Sequence, residues 1–240
     1  MSKHFAASLE DGARPTEGGD ALMLRFTPQH LRPSQRSIKR LFDVAGSLCL
    51  LAVTAPILLV AAILVRMSSP GPALFRQTRV GADGKEFILL KLRTMIVDAE
   101  RRTGPVLAAR NDPRVTPIGR FLRASHIDEL PQLINVLKAD MSLVGPRPER
   151  PHFVRIFSGR LPGYEFRLAV KPGITGLAQI YGRYSTKPEL KLRFDLMYIG
   201  NYSLLTDIRI LFKTLLALFL PDDPGEFNEA PAGTGIVRED

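Results

Sequence analysis

The chain has 240 residues, a formal net charge of +9 and a single cysteine, Cys49, so no intrachain disulfide can form. Its basic charge is concentrated: residues 31–160 carry 21 basic against 10 acidic side chains, which suits nucleic acid, anionic lipid or a polyphosphate substrate. No helix-turn-helix, RNA-binding or zinc-finger pattern accompanies that charge, so no nucleic-acid partner is expected, and His4, His30, His126 and His152 lack zinc-ligand spacing.

Residues 1–32 mix glycine, proline, threonine and charges without periodicity and read as a flexible tail, as do residues 221–240. Residues 33–66 form the membrane unit. Ser34 to Phe42 reads as a basic amphipathic lead-in, with Lys39 and Arg40 four and three residues before Asp43, a charge pair at the membrane entrance. Val44 to Val65 is then strongly apolar, and as a helix it would be roughly 33 Å long, enough to cross a bilayer core. Pro56 opposes this by removing a backbone donor, and predicts two halves, Val44 to Ala55 and Ile57 to Val65, neither of which can span. Arg36, Lys39 and Arg40 before the run and Arg66, Arg76 and Arg79 after it ask for both ends on the cytoplasmic side. A re-entrant helix meets that demand; a kinked spanning helix is the alternative. The run starts too late and lacks the small-residue pattern of a cleavable signal peptide.

Residues 67–220 read as one cytoplasmic catalytic domain. Ser69-Pro70-Gly71-Pro72 breaks the helix, and Ala73 to Val80 with Glu86 to Leu92 predicts a hairpin turning at Gly81-Ala82-Asp83-Gly84. Lys91 and Arg93 then stand at a strand end. Leu130, Leu133, Ile134 and Leu137 have helical spacing, and Pro131 suits a first turn, which puts Asp128 and Glu129 at a helix N-terminus. A carboxylate there can be a plain cap. Two adjacent carboxylates flanked by Arg114, Arg120 and Arg123 also suit covalent phosphoryl transfer, in which one attacks phosphorus and the other handles a proton. Arg147 lies between Pro146 and Pro148, a stiff support for a guanidinium that forks onto phosphate, and the glycines of Lys171 to Arg183 allow close backbone approach. Leu204 to Leu220 predicts an interfacial or core-packing helix.

The ordered set Lys39-Arg40-Leu41-Phe42-Asp43, the apolar run with Pro56, Ser69-Pro70-Gly71-Pro72, Lys91-Leu92-Arg93-Thr94-Met95, Asp128-Glu129-Leu130-Pro131-Gln132, Gly145-Pro146-Arg147-Pro148 and Lys171-Pro172-Gly173-Ile174-Thr175-Gly176 resembles the bacterial sugar transferases, the monotopic phosphoglycosyl transferases. The likeness covers about residues 36–217. It implies an α+β, mainly helical fold: a re-entrant membrane helix hairpin, a cytoplasmic catalytic domain with interfacial amphipathic helices, and a short β-hairpin. It also implies transfer of a phosphosugar from a UDP-sugar to undecaprenyl phosphate at the cytoplasmic face of the inner membrane, initiating polysaccharide or glycoconjugate synthesis.

By that resemblance Asp128 is the nucleophile and a ligand of Mg²⁺, Glu129 its partner acid or base, and Lys91, Arg93, Arg123, Arg147 and Arg183 bind substrate phosphate. Gln179 and Asp195 are further substrate-binding candidates, and a homo-oligomer is an allowed state. Three positions depart from the family pattern. Ala55 replaces the serine before Pro56, leaving Thr54 to satisfy the freed carbonyl; Leu177 replaces a tryptophan; and His126 stands where a small hydroxyl is frequent. The competing reading is a non-catalytic basic scaffold on anionic lipid, which has no need of the carboxylate pair.

Overall fold

In a computed structural model the chain is described over residues 33–99, 112–182 and 186–217, so both expected tails and Arg183 lie outside the described residues. Helix α1 is a single 36-residue element, Pro33–Ser68, that continues through Pro56 rather than dividing there. A proline lacks only its own N–H and opposes one carbonyl, and the long apolar flanks on either side keep their own backbone bonds, so the helix runs past it. Thr54 does not serve the carbonyl of Ala52 that Pro56 leaves; its hydroxyl donates to Leu50 O at 2.7 Å. Among the described residues α1 is the one helix long and apolar enough to cross a membrane. Its middle is bare, with Val53, Ile57, Leu59 and Val60 exposed.

Both ends of α1 are fastened to the same body. At the first, Lys39 is buried and donates to Asp207 (2.5 Å) and Ser142 (2.8 Å), with Asp43 at 3.9 Å. Asp43 accepts from the Ser142 hydroxyl and Leu143 N. Arg40 takes another partner, donating to the carbonyls of Val136 and Leu137 at 2.6 and 2.8 Å. At the second end Ala61 and Val65 pack on Leu92 and Leu122.

The predicted hairpin forms as β1, Leu74–Val80, antiparallel to β2, Glu86–Leu92, in register from Leu74↔Leu92 to Val80↔Glu86. Its turn uses positive φ at Asp83 (55°) and Gly84 (74°), which those residues tolerate. Helix α2, Pro117–Ala124, is capped by the Thr116 hydroxyl, which accepts from Gly119 N, and carries proline in its first turn. A 3₁₀ turn, Ile127–Glu129, leads to α3, Gln132–Leu137. Strands β3, Ser142–Val144, and β4, Gly173–Thr175, pair in parallel. Between them lie α4, Pro151–Arg160, and a second 3₁₀ segment, Tyr164–Ala169. Helices α5, Leu177–Tyr181, α6, Pro188–Gly200, and α7, Leu204–Ala217, complete a mainly helical fold.

The main core joins Leu89, Val136, Met141, Leu143, Tyr198 and Ile199. Asn135 of α3 is fully buried and bonds both Leu90 N (3.0 Å) and Ile88 O (2.7 Å). That side chain locks α3, and the carboxylate turn before it, against the strand that carries Lys91.

Candidate active site

His126 ends α2 in the left-handed conformation, φ 56°, so the 3₁₀ turn follows at once and Asp128 points inward, 6 % exposed. The energetic cost of that backbone for a non-glycine residue is of order 1 kcal/mol. Around Asp128 stand Lys91 from β2, Arg123 from α2 and Arg147 from the loop after β3, each close enough to favour its charged form. Burial, reinforced by the Glu129 charge, outweighs them and pushes the Asp128 carboxyl up to about 6. Lys91 is pushed down to about 8, chiefly by burial and against the pull of Asp128. Its ammonium sits 5.3 Å from the Phe75 ring centroid, while Arg123 Nε donates to Thr94 Oγ1 at 2.8 Å.

Glu129 has a different environment from its neighbour. Arg147 grips it with both terminal nitrogens, Nη1 to Oε2 at 3.2 Å and Nη2 to Oε1. Burial acts to raise the Glu129 carboxyl, but the charge and hydrogen bonds of Arg147, with His126 and Lys91, hold it at about 2. Two adjacent carboxylates thus differ: one is desolvated and able to attack, the other is a fixed anion.

Other expected site residues are placed elsewhere. Arg93 is buried on the carbonyls of Ser69 (2.7 Å) and Pro70 (2.6 Å), where it ties the exit of β2 to the end of α1. Both of its terminal nitrogens are engaged there, which leaves only Nε without a partner among the described residues. Asp195 of α6 is buried in an ion pair with Arg167 at 2.8 Å. Gln179 of α5 donates weakly to Ile174 O at 3.4 Å, and its Oε1 is buried with no partner among the described residues. Arg114 forks onto Asp112 instead of the carboxylate pair. Two arginines not expected at the site from sequence border it: Arg79, which bonds Pro148 O at 3.0 Å, and Arg167, which bonds Arg147 O at 2.8 Å. Arg79 follows strand alternation and could have been noticed by its register with Phe87; Arg167 gives no local signal.

An apolar groove of about 310 Å³ opens beside this turn. Pro56, Val60 and Leu64 of α1 form one wall, and Ile118, Phe121 and Ile127 the other, so the groove reaches the residue before Asp128.

The family model for bacterial sugar transferases matches residues 34–221, which include every element of this site. The chain belongs to the bacterial sugar transferase family. The transferase is 48 % identical over 192 residues to a Caulobacter vibrioides UDP-glucose:undecaprenyl-phosphate glucose-1-phosphate transferase, covering 77 % of this chain and 71 % of that protein. It is 42 % identical over 191 residues to the Rhizobium leguminosarum exopolysaccharide production protein PSS, covering 75 % and 94 %. With an Aeromonas hydrophila UDP-N-acetylgalactosamine-undecaprenyl-phosphate N-acetylgalactosaminephosphotransferase it shares 41 % over 186 residues, 76 % of this chain and 44 % of that one.

Proposed function

We propose that this transferase moves a phosphosugar from a UDP-sugar to undecaprenyl phosphate, releasing UMP, at the cytoplasmic face of the inner membrane. The observation that carries the reading is a buried, desolvated carboxylate ringed by three cations, one residue along the chain from the lining of an apolar groove. With its carboxyl near 6, Asp128 is mostly ionised at pH 7. It attacks the sugar-bearing phosphorus, the phosphorus–oxygen bond to UMP breaks, and an aspartyl phosphosugar remains. A phosphate oxygen of the lipid then attacks the same phosphorus, freeing Asp128 and leaving a polyprenyl diphosphate sugar. UMP departs as an anion and the acceptor arrives as one, so neither step needs a proton. Glu129, held ionised by Arg147, therefore acts as the anchor that aims a guanidinium rather than as the partner acid or base expected from sequence. Lys91, Arg123 and Arg147 offset the charge that builds on the diphosphate.

Among the described residues no group of three or more metal-ligating side chains exists. Mg²⁺ is commonly held by one or two carboxylates together with substrate phosphates. Asp128 would hold such an ion together with the substrate diphosphate, and the diphosphate charge would be neutralised there, easing departure of UMP.

Topology supports the same reading. A helix whose two ends both bind one catalytic body keeps both flanks on one side of a bilayer, as a re-entrant membrane helix does. The groove between α1 and α2 gives the first isoprene units a path from the membrane to Asp128. The relatives this chain resembles carry different sugars in their names, so the donor is open within the class of UDP-sugars. The test is a panel of UDP-sugars scored by UMP release with undecaprenyl phosphate and Mg²⁺ present. Release that depends on one donor and on the lipid is expected; no release from any donor, with salt-sensitive binding to anionic vesicles alone, would favour the scaffold reading.

A further inference from the structure

The four consecutive carbonyls of Pro146, Arg147, Pro148 and Glu149 each accept one hydrogen bond. The outer two are served by backbone, Pro146 O by Gly173 N and Glu149 O by Val80 N, both at 2.9 Å. The inner two are served by arginine side chains: Arg147 O by Arg167 Nη2 at 2.8 Å, and Pro148 O by Arg79 Nη1 at 3.0 Å. Arg167 is itself held from behind. The same Nη2 pairs with Asp195 at 2.8 Å, and Nη1 donates to the Tyr164 hydroxyl at 2.5 Å. Arg167 is 9 % exposed and Asp195 2 %.

The Arg147 side chain above this support is about half exposed, so packing does not fix its direction. Its aim onto Glu129 depends on where the backbone puts its Cα. A buried ion pair adds little net stability compared with a well-packed apolar pair of the same volume; what it supplies is a defined geometry. A guanidinium suits this role because its planar fork can hold a carboxylate, a hydroxyl and a carbonyl at fixed angles, which an ammonium cannot.

We propose that Arg167, braced by Asp195 and Tyr164, is a positioning residue of the transferase: it fixes the Arg147 backbone so that the Arg147 guanidinium is aimed at Glu129 and the donor phosphate. Asp195 accordingly acts two bonds behind the site and does not touch substrate. This inference rests on the phosphosugar-transfer reading, in which Arg147 faces the diphosphate.

The test is a double-mutant cycle on the full chain in detergent or lipid discs. Arg167→Lys keeps the charge against Asp195 but loses the fork, and Tyr164→Phe is a milder variant that deletes one hydroxyl and keeps the ring. Each is made with native Arg147 and with Arg147→Ala, and two quantities are read: kcat for UMP release from the UDP-sugar the wild type uses, and affinity for UDP by calorimetry, which needs no turnover. With native Arg147, Arg167→Lys is expected to lower kcat about tenfold or more and Tyr164→Phe about threefold, with Tyr164→Phe still folding cooperatively and losing less thermal stability than Arg167→Lys. In the Arg147→Ala background the same changes are expected to have less than about a twofold further effect on either quantity, because residues acting through one group are non-additive. Equal losses in both backgrounds, or no loss in either, overturn the inference. A wild type that releases no UMP from any donor overturns the functional reading instead, so the two failures are distinct.

Discussion

Replacing Asp128 by asparagine should abolish turnover and yet stabilise the protein. The carboxyl is raised from 3.8 to about 6 in the fold, first by burial and then by Glu129. Two units correspond to about 3 kcal/mol, at about 1.36 kcal/mol per unit, by which the folded state disfavours the ionised group. The sign follows from proton binding. The folded carboxyl holds its proton more tightly than the unfolded one, so the destabilisation is absent below about pH 4, grows between 4 and 6, and is complete above 6. Asparagine keeps the shape and removes the charge. For a chain of this size about 3 kcal/mol corresponds to a rise in Tm of roughly 6–12 °C. The assay is thermal unfolding of both proteins with chelator present at pH 4, 6 and 8, beside UMP release. A higher Tm for Asp128→Asn at pH 8 that converges with wild type at pH 4 is expected. An unchanged or lower Tm at pH 8, or a difference independent of pH, would refute the desolvation argument.

The pH profile of kcat/KM should be bell-shaped, rising near pH 6 as Asp128 ionises and falling near pH 8 as Lys91 loses its proton. Lys91→Arg should move the alkaline limb beyond the measured range, since a guanidinium stays charged; a limb unchanged in that variant would remove Lys91 from the account. Val60 is exposed and lines the groove, so Val60→Trp should obstruct it. Because the competing environment is itself hydrocarbon, the expected effect is modest, about a three- to tenfold rise in KM for undecaprenyl phosphate. UMP release from the first half-reaction should not change; equal loss in both half-reactions would argue against a lipid path there. Lys39→Met leaves Asp207 buried and unpaired and should cost about 3–5 kcal/mol, read by chemical denaturation. A change below about 1 kcal/mol would mean that the Lys39–Asp207 pair does not help to hold the helix.

Local signals were read well where periodicity or turn chemistry sets the structure. The hairpin from Leu74 to Leu92 follows from alternation and the Gly81 to Gly84 turn, and α3 from the spacing of Leu130 to Leu137, although Asp128 and Glu129 lie in a 3₁₀ turn ahead of that helix rather than at its N-terminus. Pro56 misled because a proline's lost donor is a local penalty, whereas continuity of α1 is decided by two long apolar flanks and by anchorage at both ends. Arg40 was matched to Asp43 by helical spacing, but the carbonyls ending α3 offer it better acceptors. The parallel pair β3–β4 has only three residues per strand, too short for any period, and exists because Gly145 and Gly173 let two backbones approach closely. Arg93 and Asp195 stood in recognisable segments, but their partners, the end of α1 and Arg167, are brought to them only by tertiary structure.

The covalent intermediate is the central claim, and it is tested most directly by mass spectrometry of the transferase after incubation with its UDP-sugar and Mg²⁺ in the absence of polyprenyl phosphate. A burst of UMP of about one per chain is expected, with a sugar-phosphate adduct on the peptide containing Asp128 that is discharged when undecaprenyl phosphate is added. UMP release only in the presence of the lipid with no adduct at any time, or an adduct on a residue other than Asp128, would contradict it.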